Sequence, residues 1–303
     1  MGNRMFFKKS KKRSFDLFSN YNYYVPGIGG MFMMLLMFFI GSVLGSMLML
    51  GLSMFSPEFA TSYGTMLSYP VMFIPPMLYA SSQSRRNEAF EKGYALDSTN
   101  FGSNKWWVMI VAVIFSTTSL AFCVEPLMKF LPQTPEWFEQ IMKNILNDTP
   151  FWVTIISVSI FAPFFEEWLC RGIVLRGLLT QMRPAGAIVV SALFFAVLHM
   201  NPWQALPAFL LGLLFGYVYY KTGSLKLTML MHCANNTMSA IFAQIPKFAD
   251  AETFMDVMSP WAYALVFALS VIILSASITI FRAIPLKGNP AMGCDQVDCL
   301  EIN

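Results

Sequence analysis

Long apolar runs without charge alternate with short polar connections along most of this chain. The runs at 31–53 and 261–281 contain no Asp, Glu, Lys or Arg, and each is long enough to cross a hydrocarbon core of about 30 Å as a helix. Further apolar runs lie at 61–80, 106–124, from 151 onward, 184–200, 202–220 and 227–245. The pattern therefore predicts an all-α fold, a polytopic membrane helical bundle of about eight transmembrane helices.

Prolines and one amphipathic stretch interrupt this pattern. The second run is predicted to form a kinked helix, because it contains Pro70, Pro75 and Pro76. Residues 135–146 carry apolar side chains at helical spacing between charges of both signs, which predicts an amphipathic helix on the outer surface of the membrane. The Asn-Pro dipeptide at 201–202 divides a longer apolar run, so we expect a tight hairpin with His199 at the far end of its first arm.

Composition and charge distribution support a membrane protein. Hydrophobic residues make up 56 % of the 303 positions and charged residues only 12 %, which is too apolar for an ordinary soluble domain. The five cysteines are an odd number and imply no disulfide framework. Lys and Arg lie in alternate connections, namely the N-terminal arm, 81–105, Arg171 to Arg183, Lys221 with Lys226, and Arg282 with Lys287. Their distribution predicts an integral, multi-pass protein of the plasma or inner membrane with both termini in the cytoplasm.

Two adjacent carboxylates and an arginine stand inside one of the apolar runs. In a helix Glu167 and Arg171 lie at i and i+4 on one face and are able to pair. Glu166 is rotated by about 100° and points elsewhere, which leaves it free for chemistry. The alternative is that the motif lies at the headgroup level as a solvated helix end.

Two histidines and an asparagine accompany Glu166 in other apolar runs. His199 ends the first arm of the predicted hairpin, and His232 and Asn236 share a helix face in the run 227–245. Ionisable groups within a membrane are expected to face the bundle interior and to meet one another. Taken singly, a membrane histidine is more often an interhelical hydrogen-bonding group than a ligand.

This set of side chains favours hydrolysis, most simply of an amide. One carboxylate and two histidines are the ligand types of a catalytic zinc site with an open water position, and an asparagine is able to donate to a developing oxyanion. Without metal, Glu166 and one histidine are able to deprotonate water, while the other histidine and Asn236 stabilise a tetrahedral intermediate. The residues alone leave both mechanisms open.

The motifs Glu166-Glu167-x-x-x-Arg171, Phe195-x-x-x-His199 and His232-x-x-x-Asn236 resemble, in order, the three motifs of the CPBP family of intramembrane proteases. That family includes the type II CAAX prenyl endopeptidases and the Abi-type bacteriocin self-immunity proteins, and the resemblance covers about 151–243.

For the site residues, the resemblance implies that Glu166 and His199 activate the attacking water. His232 and Asn236 would stabilise the oxyanion or lie beside a metal, and Glu167 with Arg171 would form the supporting pair. Two mechanisms stay open. One depends on a divalent metal such as zinc, held by Glu166, His199 and His232, and the other depends on the glutamate without a metal.

The resemblance also sets the expected organisation and function. The chain divides into a cytoplasmic basic arm at 1–29, N-terminal transmembrane helices with the surface helix at 30–146, a protease-like catalytic core at 150–245, and the last transmembrane helix with a polar tail at 246–303. We expect an intramembrane endopeptidase that acts on a membrane-associated or lipidated protein or peptide, with membrane lipid and that substrate as partners and no nucleic acid. The alternatives are a noncatalytic membrane binding or bacteriocin self-immunity protein of the same fold and a proton-coupled transporter.

Overall fold

The computed structural model describes residues 17–91, 93–249, 251 and 253–286. Most of the basic arm and nearly all of the polar tail, including Lys287, lie outside these residues, as do Lys92, Asp250 and Glu252. Ten helices follow one another in the described part: α1 Ile28–Phe55, α2 Pro57–Asn87, α3 Trp106–Met128, α4 Glu136–Lys143, α5 Phe151–Leu178, α6 Pro184–Leu198, α7 Pro202–Thr222, α8 Leu225–Ala243, α9 Pro246–Ala249 and α10 Pro260–Arg282.

The fold class is confirmed as an all-α membrane helical bundle, since the described residues contain no strand. By length and composition, α1, α3, α5, α7 and α10 are able to cross a membrane. The apolar helix α6 is shorter, with 15 residues. The count of eight spans stays a prediction, because α2 and α8 carry more polar residues than these helices.

The predicted amphipathic helix and the predicted hairpin appear in the structure, whereas the kink predicted for the second run stays a prediction. The three prolines of the second run lie inside a single continuous α2, and the amphipathic stretch forms α4 followed by a π-helical turn at Asn144–Asp148. The hairpin forms between α6 and α7, where Met200 adopts a positive φ of 55°. Asn201 then caps α7, because its side-chain oxygen accepts from the backbone N–H of Gln204 at 2.8 Å.

Helix α5 is the central element of the bundle. Every residue from Glu167 to Leu179 is buried, and α5 has a larger buried share than the other four candidate spans. Two π-helical stretches, Ile155–Phe161 and Trp168–Leu175, lie on either side of the Glu166–Glu167 pair. Such widened turns are rare and occur often at functional sites.

The structure corrects one expectation about charge. Arg176 was counted with Arg183 among the basic residues of a cytoplasmic connection, but it is fully buried, like Arg171, and only Arg183 is exposed. Arg176 is held inside because its guanidinium satisfies backbone carbonyls of three separate segments. It donates to the carbonyl oxygens of Gly172, Tyr21, Asn22, Tyr24 and Tyr94.

We expect Arg176→Met to destabilise the bundle strongly, because it leaves several buried carbonyls without a donor. Each orphaned carbonyl costs about 1–3 kcal/mol, so thermal denaturation of the protein in detergent should show a large drop in melting temperature. Arg183→Met, at the exposed turn between α5 and α6, is the control and should melt like the wild type. Equal melting of the two variants would contradict this account of Arg176.

Candidate active site

The ion pair that the i, i+4 spacing predicts is present in α5. Nη1 of Arg171 donates to Oε1 of Glu167 at 2.7 Å, and both side chains are fully buried. Nη2 of Arg171 donates to the carbonyl oxygen of Gly212 in α7 at 3.1 Å. The guanidinium also lies over the rings of Phe195 and Phe215, at 4.6 and 5.3 Å from their centroids. The pair thereby fixes α5 against α6 and α7.

Glu166 points away from this pair and toward α2 and α8. Its Oε1 atom accepts a hydrogen bond from the hydroxyl of Tyr69 in α2. Its Oε2 atom is buried without a hydrogen-bond partner and lies 3.9 Å from Nε2 of His232. A buried carboxylate oxygen without a donor is costly, so this atom marks a place that a hydrogen-bonding ligand would complete.

His232 connects the two carboxylates. Its Nδ1 atom lies 3.1 Å from Oε1 of Glu167, and because a carboxylate only accepts, Nδ1 is the donor in this contact. In the neutral imidazole, Nε2 is then the unprotonated nitrogen, and this is the atom that faces Glu166. The ring is held by Phe195 and Phe215, with centroid distances of 5.5 and 5.9 Å.

Asn236 lies one turn beyond His232 and bonds back to α5. Its Nδ2 donates to the carbonyl oxygen of Val158 at 2.7 Å. This carbonyl belongs to the first π-helical stretch, where the N–H of Ala162 bonds to Ser157 and Pro163 has no N–H to offer. The backbone irregularity of α5 therefore provides the acceptor that orients Asn236.

His199 stands apart from the other polar residues. Its Nδ1 donates to the carbonyl oxygen of Phe195 at 3.0 Å, and its own carbonyl accepts from Asn201. The ring of Phe195 makes edge contacts with the imidazoles of His199 and His232, at centroid distances of 5.1 and 5.5 Å. In the described part of the chain, no hydrogen bond or ion pair joins His199 to Glu166, His232 or Asn236.

The expected zinc ligands do not assemble into a three-donor set. Glu166 and His232 are neighbours, but no group of three or more His, Cys, Asp or Glu side chains at metal-binding spacing occurs among the described residues. As placed, these donors do not fit a catalytic zinc site, which needs three protein ligands. The choice between a metal-dependent and a glutamate-dependent mechanism stays a prediction.

Tyr69 is the site residue that the sequence did not reveal. It stands 97 positions before Glu166, in a run that carries no other mark of chemistry. Its position just before Pro70 gives no periodic signal that would link it to α5. Only the packing of α2 beside α5 brings the hydroxyl to the carboxylate.

We expect Arg171→Met to cost about 3–5 kcal/mol of stability, because it leaves the carboxylate of Glu167 buried without a cation. The double substitution Glu167→Gln with Arg171→Met should cost markedly less, since no uncompensated charge remains. Thermal denaturation of wild type, both single variants and the double variant gives the coupling energy. Simple additivity of the two single losses would show that the pair does not interact as described.

Residues 148–238 match the family model described as type II CAAX prenyl endopeptidase Rce1-like. This span contains Glu166, Glu167, Arg171, His199, His232 and Asn236, but not Tyr69. The chain is also 28 % identical over 140 residues to an uncharacterized 24.3 kDa protein of Escherichia coli, a match that covers 45 % of this chain and 59 % of that protein.

No solved structure matches the chain significantly. The family assignment therefore rests on the matched segment and on the three motifs inside it. The match of residues 148–238 to the Rce1-like family model confirms the resemblance of this segment to the CPBP family.

Proposed function

We propose that this protein is an intramembrane endopeptidase that hydrolyses a peptide bond of a membrane-associated or lipidated protein or peptide. The observation that carries the proposal is the unpartnered Oε2 of Glu166, which faces Nε2 of His232 at 3.9 Å. This separation is too long for a direct hydrogen bond, and one water molecule between the two atoms would satisfy both. Glu166 is then the general base for that water.

The proposed roles of the other site residues follow from their contacts. Glu166 takes a proton from the water as the water oxygen attacks the carbonyl carbon of the peptide bond. It then gives this proton to the leaving amine as the C–N bond breaks. Asn236 uses one amide N–H on Val158 and keeps the second for the developing oxyanion. Glu167 and Arg171 hold His232 in the required tautomer and orientation.

His199 keeps the water-activating role that the resemblance implies as part of this proposal. Its Nε2 is available for this role, because the contact with the carbonyl of Phe195 uses Nδ1. Catalytic contacts are often long without substrate and shorten in the complex. Both termini are proposed to lie in the cytoplasm, on the side of the basic connections.

A noncatalytic membrane binding or bacteriocin self-immunity protein is the second candidate. The observation in its favour is that His199 is not joined to Glu166 by any described hydrogen bond or ion pair. Under this alternative, the polar cluster only holds helices together, and an isosteric change at Glu166 would leave the biological effect intact.

We expect Glu166→Gln to abolish cleavage while the fold survives, because the amide keeps the shape of the carboxylate but is not a base. Membranes of cells that express the wild type should contain new protein termini that are absent with the variant. On a purified substrate, kcat should fall by about 10²–10⁴-fold. Glu88→Gln, at the exposed C-terminal end of α2, is the control, and identical termini in all three samples would refute the proposal.

We expect Tyr69→Phe to lower kcat about tenfold with little change in KM, because the lost hydroxyl releases Oε1 of Glu166 without altering the ring packing. Steady-state kinetics on the same substrate measure both constants. Tyr63→Phe is the matched control in α2, where the ring packs on Phe59 and Trp152. If KM rose and kcat stayed constant, Tyr69 would be a binding residue rather than a positioning one.

A further inference from the structure

A cavity of about 760 Å³ opens at one end of the bundle, beside the candidate active site. We call it the outer cavity. Its walls are the C-terminal ends of α3 and α8, the connection 131–134, helix α4 and the first turn of α7, together with Phe248, Ala251, Thr253 and Phe254. Much of this wall lies outside the family-matched span of 148–238, so the cavity is largely a feature of this chain's own flanking segments.

Two parts of the cavity wall are connected to the proposed catalytic residues. Gln204 lines the cavity, and Nδ2 of Asn201 donates both to Oε1 of Gln204 and to the carbonyl oxygen of His199, each at 2.7 Å. On α8, Ser239 lines the cavity one turn beyond Asn236. The outer cavity therefore adjoins the site through the turn between α6 and α7 and through α8.

The lining suits a peptide rather than a hydrocarbon chain. Its apolar part combines aromatic rings, among them Phe138 from α4 and Phe242 from α8, with aliphatic side chains such as Leu131 and Met142. Between them lie the carboxylates of Glu125 and Glu139 and the amide of Gln204. Each carboxylate already accepts one hydrogen bond, from the N–H of Phe254 and the hydroxyl of Thr134 respectively. An alkyl chain would desolvate their remaining acceptor sites without compensation, whereas the N–H groups of an extended peptide are able to donate to them.

The volume also fits a short peptide segment. Sites for small ligands enclose about 300–1,000 Å³, and the cavity lies inside this range. At its rim, Lys129 and Asp256 form an ion pair, and the hydrogen bond from Lys129 lowers the pKa of the Asp256 carboxyl. Charges of both signs therefore border the entrance.

The charge distribution indicates which side of the membrane the outer cavity faces. At the opposite end of the bundle, the described residues include Arg85, Arg86, Lys105, Arg183, Lys221, Lys226 and Arg282, together with Glu88, Glu91 and Asp97. The cavity end carries Lys129, Lys143 and Lys247, together with Glu58, Glu125, Glu136, Glu139, Asp148 and Asp256. By the positive-inside rule, the cavity end faces away from the cytoplasm.

We infer that the outer cavity binds the part of the substrate next to the scissile bond, an extended peptide segment that enters from the non-cytoplasmic side. This inference rests on the proposed peptidase function. It adds that the cavity binds a peptide segment of the substrate and that this segment comes from the non-cytoplasmic side. The lipid-facing surface of the bundle would then hold only the membrane-embedded or lipidated part of the substrate.

The test fills the cavity with a bulky side chain. Ser239→Trp places an indole on the cavity wall, and Ser275→Trp places one on the exposed face of α10, outside it. The two serines are matched, because each is exposed and each hydroxyl donates to the carbonyl oxygen four residues earlier, at 3.2 and 2.7 Å. The probe is a peptide that contains the cleavage sequence found by the comparison of termini.

We expect Ser239→Trp to raise KM at least about tenfold with kcat within about twofold of wild type, and Ser275→Trp to change neither. An unchanged KM for Ser239→Trp, or an equal rise in both variants, would overturn the inference while wild-type cleavage still supports the peptidase function. Absence of wild-type cleavage would instead overturn that function.

Labelling with a membrane-impermeant maleimide tests the side of entry independently of activity. Ser239→Cys should react in intact cells above the background of wild-type protein, and the peptide should slow this reaction in a Glu166→Gln background. Lys226→Cys, at the opposite end, should react only in inside-out vesicles. Reaction of Ser239→Cys only in inside-out vesicles would overturn entry from the non-cytoplasmic side.

Discussion

The fully buried ion pair between Glu167 and Arg171 is the constraint on which the rest of the site depends. Removing both charges from water is costly, and further groups offset part of the cost, although Oε2 of Glu167 and Nε of Arg171 are buried without a hydrogen-bond partner. Arg171 gains the carbonyl of Gly212 and two aromatic faces, while Glu167 gains the imidazole of His232. The pair thereby fixes which nitrogen of His232 faces Glu166.

Two features of helix α5 hold the site residues in place. Its backbone is π-helical beside these residues, and Arg176 anchors the helix further along the chain. The first π-helical stretch exposes the carbonyl of Val158, which orients Asn236 from another helix. Five residues after Arg171, Arg176 ties α5 to the segment 21–24 and to Tyr94. Both arginines are structural, but only Arg171 also orients a residue of the proposed mechanism.

The sequence predicted what is local and missed what depends on packing between distant segments. Apolar runs and helical periodicity were sufficient for the fold class, the α6–α7 hairpin and the Glu167–Arg171 pair, because each is encoded within one helix or turn. The contact between Tyr69 and Glu166 spans 97 positions and has no periodic signature. Arg176 was misplaced because arginines near helix ends usually reach the cytoplasmic surface, and its backbone acceptors come from remote connections.

The position of His199 becomes understandable when the site and the outer cavity are considered together. His199 lies at the turn between α6 and α7, with Phe195 between its ring and that of His232, and its carbonyl is joined through Asn201 to Gln204 of the cavity wall. On the proposed route, a peptide that extends from the outer cavity to Glu166 passes this turn. Substrate is then the element that bridges His199 and Glu166, so their separation in the free protein and their shared role in catalysis are compatible.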